Sequence, residues 1–250
     1  MAKKIITVFG ATGAQGGGLV RSILSDPHSE FSVRAVSRDP NSDKANELKQ
    51  LGAEVVAGDV DDKESVTKAL EGAYGAYFVT FFWAHFSPEK EYEEAKTFAE
   101  AAKATGIRHA VWSTLEDVRE FVPLDDDRIP TLHQKYKVPH FDAKGAADRL
   151  FRELGVPTTF FRASFYWDNF VQFGSGPKKG PDGKYYLTFP LDNKKMAGIA
   201  AEDIGKCAYG IFKRGPELIG RTIGVAGEHL TGQEMAEALS RELKVEVLYN

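Results

Sequence analysis

The stretch Ile5-Ile6-Thr7-Val8-Phe9-Gly10-Ala11-Thr12-Gly13-Ala14-Gln15-Gly16-Gly17-Gly18-Leu19-Val20 decides the fold. Ile5 to Phe9 is an apolar run of strand length, and Leu19-Val20 with Ile23-Leu24 follows at helical spacing. Between them the glycines fall as G-x-x-G-x-x-G, at Gly10, Gly13 and Gly16. Strand, tight turn and helix in that order form the dinucleotide-binding pattern. Gly10 turns the chain, a side chain at Gly13 would keep a pyrophosphate off the backbone, and Gly16 lets the helix lie close to the strand. The free N–H groups of the helix start then face the phosphates, favoured by the helix dipole. Gly10, Thr12, Gly13, Ala14, Gln15 and Gly16 are the expected cofactor loop.

The rest of the composition is consistent with this. At 250 residues the chain can bury one large core, and 42% apolar content is ordinary for a globular protein. A net charge of -4 gives no pull towards nucleic acid or an anionic membrane. One cysteine, Cys207, excludes an intramolecular disulfide framework and a cysteine metal cluster. The first apolar run is too short for a signal-peptide core, and no apolar segment reaches bilayer-spanning length. The expected location is the cytoplasm, with the nucleus left open; no metal is expected.

Outward from the motif, Phe31 to Val36 reads as the second strand and leads into Ser37-Arg38-Asp39-Pro40. An acidic residue at this strand end would accept the ribose 2′-hydroxyl of NAD; Ser37 and Arg38 instead suit a 2′-phosphate, so NADP(H) is the expected cofactor. A third strand, Ala53 to Ala57, precedes Asp59, which either accepts from the adenine amino group or caps the next helix. Asp61 and Asp62 read as caps of Lys63–Leu70. A fourth strand, Gly75 to Thr80, continues into the aromatic run Phe81-Phe82-Trp83-Ala84-His85-Phe86, either a pocket floor or a packed loop. A long helix spans Pro88 to Thr105, and a fifth strand ends at Thr114. Residues 115–138, with Asp125-Asp126-Asp127, read as an exposed excursion near the site mouth. A helix from Pro139-His140 to Leu154 and a sixth strand, Thr158 to Ala163, follow. That strand breaks into Ser164 to Phe170, which places Phe165 and Tyr166 among the cofactor contacts. Tyr185 to Pro190 reads as a short strand and Ala201 to Phe212 as a helix. Thr222 to Ala226 is a strand, and Thr231 with Glu234 is a capping box opening a helix to Leu243. The last residues, Val245 to Tyr249, alternate like a strand. The fold class is α/β: a Rossmann-type, doubly wound parallel sheet with a smaller C-terminal substrate lobe. The expected division is a core over 1–155 and a lobe over 156–250 with elements returning to the sheet.

With these residues placed, the chain resembles the NmrA-like family of atypical short-chain dehydrogenase/reductases. The resemblance is carried by Val8 to Gly16, Ser37-Arg38-Asp39-Pro40, Gly58-Asp59 and His140-Phe141-Asp142-Ala143-Lys144-Gly145. Phe165-Tyr166-Trp167-Asp168-Asn169 and Pro181-Asp182-Gly183-Lys184 add to it. It implies NADPH at the glycine loop and, in some members, a redox-sensing regulator that changes its association with a protein partner; more distant relatives reduce small aromatic carbonyls or quinones. A dimer is left open. Catalytic short-chain dehydrogenases carry Tyr-x-x-x-Lys on this helix, whereas the spacing here gives His140-x-x-x-Lys144. Lys144 is still expected to bond the nicotinamide ribose. His140 either starts the helix or stands in as the acid. Family members usually run longer, which implies further C-terminal helices.

Overall fold

The computed structural model describes residues 2–250. Up to Ala163 the chain alternates strand and helix: β1 (Lys4–Val8), α1 (Ala14–Leu24), β2 (Phe31–Ser37), α2 (Asp43–Gln50), β3 (Glu54–Ala57), α3 (Lys63–Leu70), β4 (Gly75–Phe78), α4 (Pro88–Thr105), β5 (His109–Thr114), α5 (Pro139–Glu153) and β6 (Thr158–Ala163). Shorter pieces follow: β7 (Phe165–Tyr166), α6 (Asn169–Gln172), β8 (Lys178–Lys179), β9 (Tyr185–Leu187), β10 (Met196–Ile199), α7 (Ala201–Arg214), β11 (Thr222–Val225), β12 (Glu228–Leu230), α8 (Gly232–Leu243) and β13 (Val247–Tyr249).

Local chemistry sets the helix ends. The Ser87 hydroxyl accepts from the Lys90 N–H and Pro88 fills the first turn of α4, which closes on Gly106 in the left-handed region (φ 65°). Thr231 and Glu234 form the expected reciprocal box. Asp62 accepts from the Glu64 and Ser65 N–H groups. Asp61 does not share that role; it pairs with Lys90 on the surface, 2.8 Å away.

Seven parallel strands form the central sheet in the order β11-β6-β5-β4-β1-β2-β3. Side chains alternate across it. Ile6, Val8, Tyr77, Val111 and Phe161 face a core shared with α1, α2 and α7. Ala76, Phe78, Ala110, Trp112 and Phe160 face a second core under α3, α4 and α5. With helices on both faces and strand order running outward from β1 in two directions, the sheet reverses between β1 and β4. Their carboxyl ends therefore splay around a crevice, where open α/β sheets bind ligands.

The C-terminal part folds as a smaller lobe with returning elements. Two three-stranded sheets, β12-β10-β7 and β13-β9-β8, enclose a small core of Leu187, Met235, Ala236 and Val247. β11 rejoins the central sheet beside β6, and α7 packs on α1. β13 pairs in parallel with β9, and Val247 is buried against Leu187, Met235 and Ala236 in this small core. Among the described residues no helix is long and apolar enough to cross a membrane.

Candidate functional site at the carboxyl edge

The glycine turn adopts the geometry its sequence demands. Gly10 sits at φ 65° and its carbonyl accepts from the Gly13 N–H at 2.9 Å. A Cβ on Gly16 would lie 2.7 Å from the Gly10 carbonyl carbon, so only glycine lets α1 start this close to β1. Gly13 caps α1 without any side-chain hydrogen bond, and the first turn holds no acidic residue. The leading N–H groups are thus left to an external acceptor. Thr12 is half-buried; Gly13 and Ala14 are exposed.

Gln15 organises the floor beside this turn. Its Nε2 donates to the Tyr166 hydroxyl, and its Oε1 accepts from the Tyr77 hydroxyl and, at 2.8 Å, from the Ser113 hydroxyl. One amide therefore ties α1 to β4, β5 and β7. Burial pushes the Tyr77 phenol up, and pushes the Tyr166 phenol up to about 12, so both stay protonated at neutral pH. Tyr77 and Ser113 had no distinguishing mark in the sequence. Phe165 points elsewhere: its ring packs on Trp167, Phe170 and Phe189 in the C-terminal lobe.

Arg38 and Asp59 stand at the carboxyl ends of β2 and β3, and share no hydrogen bond or ion pair with this network. Arg38 is exposed and makes no ion pair among the described residues. Ser37, expected beside it as a phosphate ligand, spends its hydroxyl on the Asp39 carbonyl at 2.8 Å. The Asp59 carboxylate accepts from the Asp61 N–H at 3.1 Å, while the Asp59 backbone is held by Ser65. It shapes the loop before α3 and does not cap the helix.

Lys144 lies on the inner face of α5 and is buried. Its Nζ donates to the Thr80 hydroxyl at 2.5 Å and lies 3.0 Å from Glu91 Oε1, with the Trp112 ring 5.1 Å away. One turn earlier, the His140 ring rests against Trp83, Phe141 and Phe82 at centroid separations of 4.9, 4.9 and 5.5 Å. Desolvation in this cage favours the uncharged imidazole and holds His140 below its usual range. Of the aromatic run, Phe82 is buried, whereas Phe81, Trp83 and Phe86 are exposed, so the run is both packed loop and open surface.

Residues 115–138 are largely exposed, as expected of an excursion, but are pinned by polar contacts. Asp142 at the start of α5 accepts from the N–H groups of Val118, Lys137 and Val138, and the buried Lys137 ammonium donates to the Asp126 and Ile129 carbonyls. Asp126 of the acidic triplet pairs with Arg128.

His85, Glu91 and Glu94 bring one ligand atom each within 4.8 Å. The Ser87 N–H donates to His85 Nδ1 at 3.0 Å, so the proton of the neutral ring is on Nε2, the atom facing both carboxylates. The imidazole presents a proton there, where a metal requires a lone pair. A hollow of about 770 Å³ opens in the C-terminal lobe between Lys178, Lys179, Tyr186, Phe189 and Asn250, and none of the expected cofactor residues lines it.

Sheet order, splayed β1 and β4, and an uncapped helix behind a glycine turn define a Rossmann-type α/β protein. The NmrA-like family model matches residues 2–250, and the chain belongs to that family. It is 31% identical to an NmrA-like family domain-containing protein of Dictyostelium discoideum, covering all of this chain and 80% of the relative. It is 32% identical to an NmrA-like family domain-containing oxidoreductase of Cladobotryum sp, covering 88% of this chain and 67% of the relative. Among solved structures, the negative transcriptional regulator NmrA in complex with NADP superposes with a TM-score of 0.82 at 28% identity, over 100% of this chain and 74% of that one. The same regulator in complex with NAD gives 0.83 at 29% identity over the same shares.

Proposed function

We propose that the chain binds NADP(H) along the carboxyl edge and acts as a cytoplasmic redox-sensing regulator with little or no turnover. The observation that carries the reading is the uncapped, acid-free start of α1 behind Gly10 and Gly16, a preformed anion cradle at the sheet's reversal point. The NADP complex of NmrA supports it. Arg38 is exposed and makes no ion pair among the described residues, which suits a 2′-phosphate, and Asp39, the carboxylate that follows it, accepts from the Asn41 N–H. A net gain of about 1.5–3 kcal/mol from the charge-assisted Arg38 contact would give a preference for NADPH over NADH of about 10- to 200-fold. The low-turnover half of the proposal rests on His140. Where an acid would be needed the helix carries an imidazole whose charged form is disfavoured by its aromatic cage.

The regulator would report the NADPH/NADP ratio to a protein partner. A reductase of small aromatic carbonyls or quinones is the second reading, favoured by exposed Phe81 and Trp83 beyond β4 and by the Cladobotryum relative's name. Calorimetric titration with NADPH and NADH, together with NADPH absorbance in the presence of a quinone and aldehyde panel, separates the two. The expected result is NADPH binding that Arg38→Ala cuts by most of the preference, with no cofactor oxidation. Equal affinity for both cofactors overturns the NADP assignment, and steady oxidation sensitive to His140→Ala overturns the regulator.

A further inference from the structure

The geometry points to Glu91 as the positioning residue for Lys144: its buried carboxylate holds the ammonium at the carboxyl end of β4, where the ribose of the proposed cofactor lies. The inference rests on the cofactor reading above for what Lys144 touches, and on this chain's own contacts for the rest.

A lysine on a flexible stem is a poor positioning device unless its head is fixed. Here three groups close a ring. The Thr80 hydroxyl accepts from Lys144 Nζ at 2.5 Å and donates its own proton to Glu91 Oε1 at 2.6 Å, and that oxygen lies 3.0 Å from the ammonium. The Glu91 side chain is 0% exposed, so water cannot substitute for these partners. The other oxygen, Oε2, has no hydrogen bond; it faces the His85 Nε2–H at 3.5 Å, which biases the carboxylate against rotation without satisfying it. Glu91 comes from α4 and Lys144 from α5, so the pair fixes the reach of the ammonium from one helix against the other. The remaining titratable and charged groups around the pair are His85 from the turn after β4, Glu94 and Lys90 from α4, His140 and Asp142 from α5, and Asp61 from the loop before α3.

A simple α4–α5 clamp would have the same contacts, so the test reads proton binding as well as affinity. Glu91→Gln keeps the shape and an acceptor for Thr80 but removes the charge, and burial then favours the uncharged amine of Lys144. NADPH affinity of the variant should be near wild type at pH 6.5 and fall about tenfold by pH 9, where wild type stays level. Without cofactor, the folded variant binds fewer protons than its unfolded chain in this range. Its stability relative to wild type should therefore rise with pH, and adding Lys144→Met should abolish the rise. If Glu91→Gln does not fold, the Glu91→Gln, Lys144→Met double variant should, because no unpaired charge remains buried. A pH-independent difference in stability with affinity within twofold of wild type overturns the proposal, as does a double variant no more stable than the single one. If wild type binds no NADPH, the cofactor reading fails by itself, and the stability arm still decides whether Glu91 holds Lys144.

Discussion

Asp148→Asn should stabilise the protein above pH 6 and lose that advantage in acid. Asp148 lies on α5, 8% exposed, and its Oδ1 accepts both the Trp112 indole N–H at 3.0 Å and the Thr114 hydroxyl at 2.6 Å. Burial outweighs these two bonds and raises the carboxyl from 3.8 to about 6. Because the folded pKa is raised, the folded state holds the proton more tightly between pH 3.8 and about 6, so the contribution to stability falls as pH climbs through that window. Above it the cost is at most about 3 kcal/mol, at about 1.4 kcal/mol per pH unit. Asparagine keeps Oδ1, and with it both bonds, and does not titrate. Urea unfolding of wild type and Asp148→Asn at pH 4, 5, 6, 7 and 8 gives the difference directly. The expected curve rises in favour of the variant from pH 4 to 6 and then levels. Any loss from replacing a charged acceptor by a neutral one shifts the whole curve and leaves its slope intact. A difference independent of pH refutes the assignment of a raised pKa to this carboxyl.

Two further outcomes follow from buried groups elsewhere. His109 is fully buried with Nε2 on the Thr159 hydroxyl, and desolvation lowers its imidazole to about 4. Its NMR titration midpoint should fall near 4, and this neutral ring makes stability decline as pH drops from 6.5 through 4; a midpoint near 6.5 contradicts it. At the α1–α7 contact a Cβ on Gly205 would lie 2.6 Å from Gly18 Cα, whereas a Cβ on Gly18 meets nothing closer than the Glu202 carbonyl at 3.2 Å. Gly205→Ala should cost about 1–3 kcal/mol or more in urea unfolding and Gly18→Ala clearly less; equal losses would show that the helices do not meet backbone to backbone there.

The sheet was legible because its signals are local. The apolar run before Gly10, the box at Thr231 and the glycine after Thr105 each act within a few residues, and the structure places helix and strand ends within about two residues of them. β8, β10 and β12 gave no signal, since strands of two to four residues exist only by pairing with distant partners such as Phe165 and Leu230. The glycine turn was readable for the same local reason. The Gln15 network was not: Tyr77, Ser113 and Tyr166 lie 62, 98 and 151 residues away from Gln15, and nothing in the sequence links one polar inward residue on β4 with another on β5.

Lys144 and Glu91 show what helical periodicity could have revealed. On α4 the buried stripe runs Glu91, Ala95, Phe98, Ala102; on α5 it runs Lys144, Ala147, Phe151. Each stripe opens with a charge at a position that faces the core, and an unpaired charge there is costly enough that a partner is required. Both stripes pack on the same core under β4 and β5, so the two opposite charges are the natural partners for each other. The chain thus sets the buried Lys144 ammonium near the carboxyl end of β4 and neutralises it with Glu91, while the Thr80 hydroxyl bonds to both.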